Sequence, residues 1–269
     1  MSYLNLWLVA YIALGLVSGF LAGLLGIGGG LIIVAVLTFA FDAQGMPHAI
    51  VLPLALGTSM ATIIFTSISS FRTHQSHGAV RWDLVRDITP GVIVGTLAGT
   101  MLAARASTAA LTLFFGCFVL VIAAQMAFGL KPNPSRELPG MTGRLIGGGI
   151  IGAVSALVAI GGGSLTVPWL SWCNVRVQHA IGTSAAMGLP IALSGTAGYL
   201  WNGWSQPGLP AGAVGYVYLP ALLCLLASSM LTAPSGARLA HRLPVSTLKR
   251  AFALLLVLLA IKMFWRILE

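Results

Sequence analysis

Acidic residues are what this chain has least of. Its 269 residues hold five, Asp42, Asp83, Asp87, Glu137 and Glu269, and all lie in spacers, at the ends of apolar runs or at the terminus. No carboxylate stands within an apolar run, so a cation carrier or proton pump built on an intramembrane acid is disfavoured and an anion suits the chain better. The same shortage speaks against an enzyme. An intramembrane aspartic protease needs two buried acids and a metalloprotease an HExxH helix, and neither pattern occurs. A serine hydrolase would have to pair Ser59 or Ser184 with His48 or His179, and nothing in the sequence orients such a pair. Cysteine is equally sparse: Cys117, Cys173 and Cys224 stand apart in apolar surroundings with no CxxC spacing, which fits small buried hydrophobes and neither a disulfide framework nor a metal centre. No metal and no cofactor are expected. A cleavable signal peptide is not expected either, because the N-terminus lacks a basic region and its apolar run continues through a glycine cluster.

What the chain has in abundance is apolar surface. Hydrophobic residues make up 58% of it and charged residues 7%, against about 25% charged in a soluble domain, and the mean hydropathy is +0.96. The lipid bilayer is its expected surrounding. The net charge of +9 comes from basic residues in short spacers between apolar runs, where they act as orientation signals and do not indicate nucleic acid. The runs cover roughly 7–40, 50–70, 88–104, 108–130, 145–172, 179–200, 214–231 and 251–267. A spacer rich in proline and charge, 131–144, divides them into a first transmembrane repeat, 1–130, and a second, 145–269.

The two halves echo one another. GLLGIGGGLIIV in the first half, with Gly28, Gly29 and Gly30, returns as ALVAIGGGSLTV with Gly161, Gly162 and Gly163. His48-Ala49-Ile50 recurs as His179-Ala180-Ile181, Gly57-Thr58-Ser59 as Gly182-Thr183-Ser184, and GTMLAAR ending at Arg105 as GARLAHR ending at Arg242. An internal duplication accounts for the shared order. The first run of each half is too long for a single crossing, since 7–40 as one helix would extend about 50 Å at ~1.5 Å per residue through a hydrocarbon core of about 30 Å. Each is expected to break at its glycines into a helix hairpin that enters and leaves on one side. Each half then crosses an odd number of times, and the second repeat is inverted. That topology places Arg72, Arg81, Arg86, Lys131, Arg136, Arg144, Arg176, Arg238, Arg242, Lys249 and Arg250 together, opposite Arg105, Lys262 and Arg266. By the positive-inside rule the 131–144 joint is then cytoplasmic and both termini are outside.

A break inside the bilayer exposes the N–H groups that open the following half-helix, and the helix dipole adds about half a positive charge there. Such an end attracts anions, and paired breaks in the halves of an apolar chain are the pattern of a secondary transporter's midplane site. Gly28 to Gly30 and Gly161 to Gly163, with the hydroxyl of Ser164, are therefore expected to bind substrate; close helix packing is the alternative use of such small residues. Thr58, Ser59, Thr183 and Ser184 offer hydroxyls that can cap a helix or donate to an oxyanion; bonding to the backbone of their own helix is the alternative use. His48 and His179 open their segments, as interfacial histidines or as a proton relay. Trp169, Trp172, Trp201 and Trp204, near segment ends, fit an aromatic belt and receive no ligand role.

The duplicated GxGGG run, the GTS that follows it in each half, Val167-Pro168 after the second triplet, and GARLAHRLPVSTLKRAF near the end resemble the TauE/SafE sulfite exporter family, also called TSUP, over nearly the whole chain. One departure is Ala35, which stands where the second half has Pro168. The resemblance implies an all-α, multi-pass carrier of the bacterial inner (plasma) membrane for sulfite, sulfonates, sulfoacetate or a related small anion, moved by alternating access. A homo-oligomer is compatible with this pattern. Two other readings stay open on the residues alone: a carrier of another small metabolite anion, and a membrane-embedded enzyme or assembly subunit.

Overall fold

Glycine runs end helices twice in this chain, and the turns they make set the architecture. The computed structural model describes residues 2–25, 29–129, 135–240 and 245–268, so Gly28 lies outside the described residues. Ten helices follow in order among them: α1 (Ser2–Leu25), α2 (Gly30–Ala43), α3 (His48–Ser76), α4 (Trp82–Arg105), α5 (Thr108–Phe128), α6 (Met141–Val158), α7 (Gly163–Trp172), α8 (Val177–Gly203), α9 (Leu219–Ala240) and α10 (Val245–Leu268). A two-stranded antiparallel ribbon, β1 (Ala213–Val214) and β2 (Val217–Tyr218), leads into α9. The apolar pattern did not separate this ribbon from the helix that follows, because a strand of two residues is too short to show a period of its own.

The protein is an all-α polytopic membrane protein. α3, α4, α5, α6 and α8 are each long and apolar enough to cross a bilayer. Large apolar side chains such as Val94, Val121, Ile150, Leu223 and Leu254 point outward and are exposed, as lipid-facing residues do. α3 and α8 are the enclosed pair: 78% and 61% of their most apolar windows are buried, against 39% for α4, α5 and α6. They lie against each other antiparallel, Gly57 beside Tyr199, Met60 beside Gly195 and Ser67 beside Gly188.

Each half opens with the expected hairpin. α2 has 14 residues and α7 has 10, about 21 and 15 Å of helix, both short of a ~30 Å hydrocarbon core. Gln44, just past α2, donates from Nε2 to the Tyr11 hydroxyl on α1, and the two residues are equally far from the break. That equality requires α2 to double back along α1. α7 returns likewise to the spacer from which α6 departs: the Trp172 carbonyl accepts the N–H groups of Ser135 and Arg136, and its indole N–H donates to Ser135 Oγ.

Two tight interfaces hold the hairpins. α1 runs parallel to α9, with Gly15 against Leu225 and Ser228, and Gly19 against Ser229 and Thr232; the Thr232 hydroxyl donates to the Leu16 carbonyl. α4 runs parallel to α6, pairing Gly91 with Leu145, Gly95 with Gly149 and Gly99 with Ala153. Without an intervening Cβ the backbones meet directly, which in lipid supplies the van der Waals contact that a hydrophobic drive cannot. Around these bundles the spacers 77–87, 135–144 and 172–182 gather at one end, tied by Arg144 to Asp87, Arg144 Nε to the Pro139 carbonyl, and Asn174 Nδ2 to the Arg136 carbonyl. At the other end Tyr11, Phe41 and Tyr218 meet edge to face.

At Gly95 a methyl group would collide with the Gly149 carbonyl. Gly95→Val is expected to lose about 1–3 kcal/mol, read as a lower melting temperature in detergent; an unchanged melt would contradict the α4–α6 packing.

Candidate functional site

The two breaks are built alike. Gly29 precedes α2 with φ 66° and Gly162 precedes α7 with φ 82°, a left-handed backbone that favours glycine. Neither carries a side-chain cap. The Gly29 carbonyl accepts from Ile32 and Ile33, and the Gly162 carbonyl from Leu165 and Thr166, so the N–H groups of Gly30 and Leu31, and of Gly163 and Ser164, precede the first intrahelical bonds. The breaks adjoin inside the protein. Gly30 packs against the carbonyl of Ala159, the residue in left-handed conformation that ends α6, and Ile63 of α3 touches Gly30 with Cδ1 and Gly161 with Cγ2.

The repeated GTS triplets act twice in one pattern. Gly57 lets the carbonyl of Tyr216 approach α3, and Thr58 Oγ1 accepts the N–H of Tyr218, the residue before α9, at 2.9 Å. Gly182 likewise admits the carbonyl of Ala79 to α8, and Thr183 Oγ1 accepts the N–H of Arg81, the N-cap of α4, at 3.1 Å. In each triplet the glycine and threonine clamp the turn that opens the second membrane-crossing helix of the other half, α9 or α4. The Thr58 hydroxyl also donates to the Leu54 carbonyl, so its hydrogen is engaged as well.

The serines point to the breaks and differ. Ser59 Oγ donates to the Gly30 carbonyl at 3.3 Å. Ser184 Oγ lies 3.9 Å from where a Cβ on Gly163 would stand, and it is buried with no hydrogen-bond partner. Ser164 Oγ and Thr166 Oγ1 are buried and unpartnered too, Thr166 Oγ1 lying 3.5 Å from the Cβ position of Gly162. The motifs did not single out Thr166 or Ile63. A signal for Thr166 exists in the difference between copies, since GGGSLTV has hydroxyls at two positions where GGGLIIV has Leu31 and Ile33.

His48 and His179 stand elsewhere. His48 opens α3 and pairs with Asp42 at 3.1 Å, its side chain largely exposed. The His179 ring lies 3.2 Å from the Ala79 carbonyl at the opposite end of the molecule. The fold thus brings the two glycine breaks and the two serines together and leaves both histidines at the surface ends. A cavity of about 270 Å³ lies near the aromatic end, lined by Pro53, Ser107, Thr108, Gln206 and Tyr216 among others, apart from the breaks. No Arg, Lys, His, Asp or Glu side chain is buried among the described residues, and no cluster of His, Cys, Asp or Glu suited to a metal occurs there. The positive potential at the breaks therefore comes from the two helix ends, about half a unit charge each.

Residues 11–263 match the family described as sulfite exporter TauE/SafE. A probable membrane transporter protein of Haemophilus influenzae is 37% identical over 252 residues, 93% of this chain and 95% of that protein. One from Methanocaldococcus jannaschii, also described as a probable membrane transporter protein, is 29% identical and covers 80% of this chain and 79% of its own. A third, from Bacillus subtilis, is 26% identical over 88% of this chain and 91% of its own length. No solved structure matches the chain.

The clamp hydroxyls are fully buried, so Thr58→Val strands a buried N–H and Thr183→Val a partly buried one. Each is expected to cost about 1–3 kcal/mol, with Thr58→Ser and Thr183→Ser retaining most of that stability. Melting of the purified variants in detergent checks it, and valine variants as stable as the serine ones would refute the clamps.

Proposed function

This chain belongs to the sulfite exporter TauE/SafE family of membrane transporters, and we propose that it is a secondary carrier that moves a small sulfur-containing oxyanion, of sulfite, sulfonate or sulfoacetate type, by alternating access. The observation that carries the reading is the meeting of two left-handed glycine breaks across Ile63, deep in a protein whose buried polar groups are hydroxyls. Backbone N–H groups and hydroxyls donate to oxygen atoms and leave a cation without partners, so the site suits an oxyanion. His48 and His179 sit at opposite ends of the molecule, beside Asp42 and the Ala79 carbonyl, with Ser59 and Ser184 at the breaks between them.

We read the two halves as inverted repeats, 1–130 and 145–269 about the 131–144 joint. The reciprocal clamps support this reading, as do the parallel pairs α1–α9 and α4–α6, each joining the first helix of one half to the fourth helix of the other. An in-plane two-fold relation interconverts these pairs and makes outward-open and inward-open states alike in contacts, which keeps them close in energy. The end that gathers 77–87, 135–144 and 172–182 carries Arg81, Arg86, Arg136, Arg144 and Arg176 and faces the cytoplasm of a bacterial inner membrane. The aromatic end faces outward.

Two measurements test this. In liposomes containing only this protein, counterflow of labelled methanesulfonate should be robust and should fall at least tenfold in Gly162→Val, whose branched side chain opposes a φ of 82° and meets Ile191; normal flux in that variant would sink the site. Cysteines placed at Gln206 should label from outside intact cells and cysteines at Ser135 only after permeabilisation, and the reverse pattern would overturn the orientation.

A further inference from the structure

The two breaks look like twins in backbone and differ in what their side chains leave free. At the start of α2 the neighbouring positions are filled and apolar. A side chain on Gly30 would run into the Ala159 carbonyl, Leu31 and Ile33 are buried and carry no polar atom, and Ser59 already gives its hydrogen to the Gly30 carbonyl. The Ala159 carbonyl also presents its negative end to the N-terminus of α2, which offsets the attraction of that end for an anion. The start of α7 is the opposite case. Beside Gly163 there is space, with Ser184 Oγ the nearest atom at 3.9 Å from the Cβ position. Three hydroxyls at this helix end are buried with no partner: Ser164 Oγ in the first turn of α7, Thr166 at 0% exposure and Ser184 at 1%. A buried hydroxyl left without a partner is costly, and three at one helix N-terminus form a set of donors that lacks its acceptor.

We infer that the anion is coordinated on one side only, by the N-terminus of α7 with Ser164, Thr166 and Ser184, that α2 closes the site as an apolar wall, and that the ligand is a monoanion. This deepens the anion-carrier reading and rests on it. The charge selectivity follows from what the site lacks. Stripping water from an ion costs free energy that rises with the square of its charge, whereas its attraction to fixed dipoles and hydroxyls rises only in proportion to the charge. A site with a buried Arg or Lys offsets the steeper term for a dianion. Here no Arg, Lys, His, Asp or Glu side chain is buried among the described residues, so a single negative charge is held on favourable terms and a second is not. A sulfonate group fits: one charge, spread over three oxygens that accept from three hydroxyls and two backbone N–H groups.

The test uses the full chain in liposomes, with labelled methanesulfonate flux as the readout and unlabelled anions as competitors. Methanesulfonate should compete at least tenfold more strongly than sulfate, and more strongly than methylphosphonate at a pH where that isosteric anion carries two charges. Thr166→Val and Ser184→Ala should each raise the half-saturating concentration at least tenfold, Thr166→Ser should restore it, and Ser59→Ala should cost clearly less than Ser184→Ala. Equal competition by sulfate would overturn the monoanion assignment, and equal losses from Ser59→Ala and Ser184→Ala would overturn the one-sided site. Both outcomes leave anion carriage itself standing. Absence of any methanesulfonate or sulfate flux in the unmodified protein would instead bring down the carrier reading and this inference with it. The competition arm needs no variant, so it decides the charge question even where a substitution fails to fold.

Discussion

A peptide N–H inside a bilayer has no water to bond, and every feature of this fold answers to that constraint. Eight long helices satisfy it internally. The exceptions are the starts of α2 and α7, where glycines in left-handed conformation interrupt the helix and leave the first N–H groups without intrahelical partners. Such breaks persist only where protein encloses them, and here the enclosed pair α3 and α8 does so, presenting Ile63 and Ser59 to one break and Ser184 and Ile191 to the other. The rest of the bundle has to bring two short, poorly capped helices to that centre and hold them there without polar contact to lipid.

The holding contacts are of two kinds. Glycine-lined parallel interfaces fix α1 to α9 and α4 to α6, where backbones approach too closely to admit a side chain. The threonine clamps fix the turns before α9 and α4 to the centres of α3 and α8, and they meet the same demand as the breaks, a buried N–H in need of an acceptor. One three-residue motif therefore has two duties: Gly-Thr docks the opposite half, and Ser faces the break.

Much of this was legible in the sequence because it follows from composition and repetition. Long apolar runs, a run too long for one crossing, and triplet glycines within it lead directly to membrane helices and hairpins at Gly29 and Gly162. The triplet GTS was visible as a paired signal, but its two outcomes, helix capping and oxyanion binding, differ only in what lies opposite each hydroxyl. Tyr218 is 160 positions from Thr58 and Arg81 is 102 from Thr183, and no local pattern carries that information. Thr166 is not marked by the repeat, because its significance lies in where the two copies diverge. His48 and His179 recur in sequence yet stand at opposite ends, since each lies near the start of its helix and α3 and α8 run antiparallel.

The exchange of partners between halves also limits how the molecule can move. Each hairpin is joined to the second membrane-crossing helix of the other half, α1–α2 to α9 and α6–α7 to α4, through glycine-lined contacts where backbones meet closely. A rearrangement that preserves these interfaces cannot separate residues 1–130 from 145–269 as blocks. It must carry each hairpin together with the opposite half's helix, so the surfaces that slide are those between these mixed bodies and the α3–α8 pair. The clamps at Thr58 and Thr183 lie at that boundary, one toward each end. Ile63, touching both breaks, sits where the two bodies come closest. Packed interfaces of this kind are bistable and do not deform continuously, and the two breaks meet both through Ile63 and through the Ala159 carbonyl against Gly30.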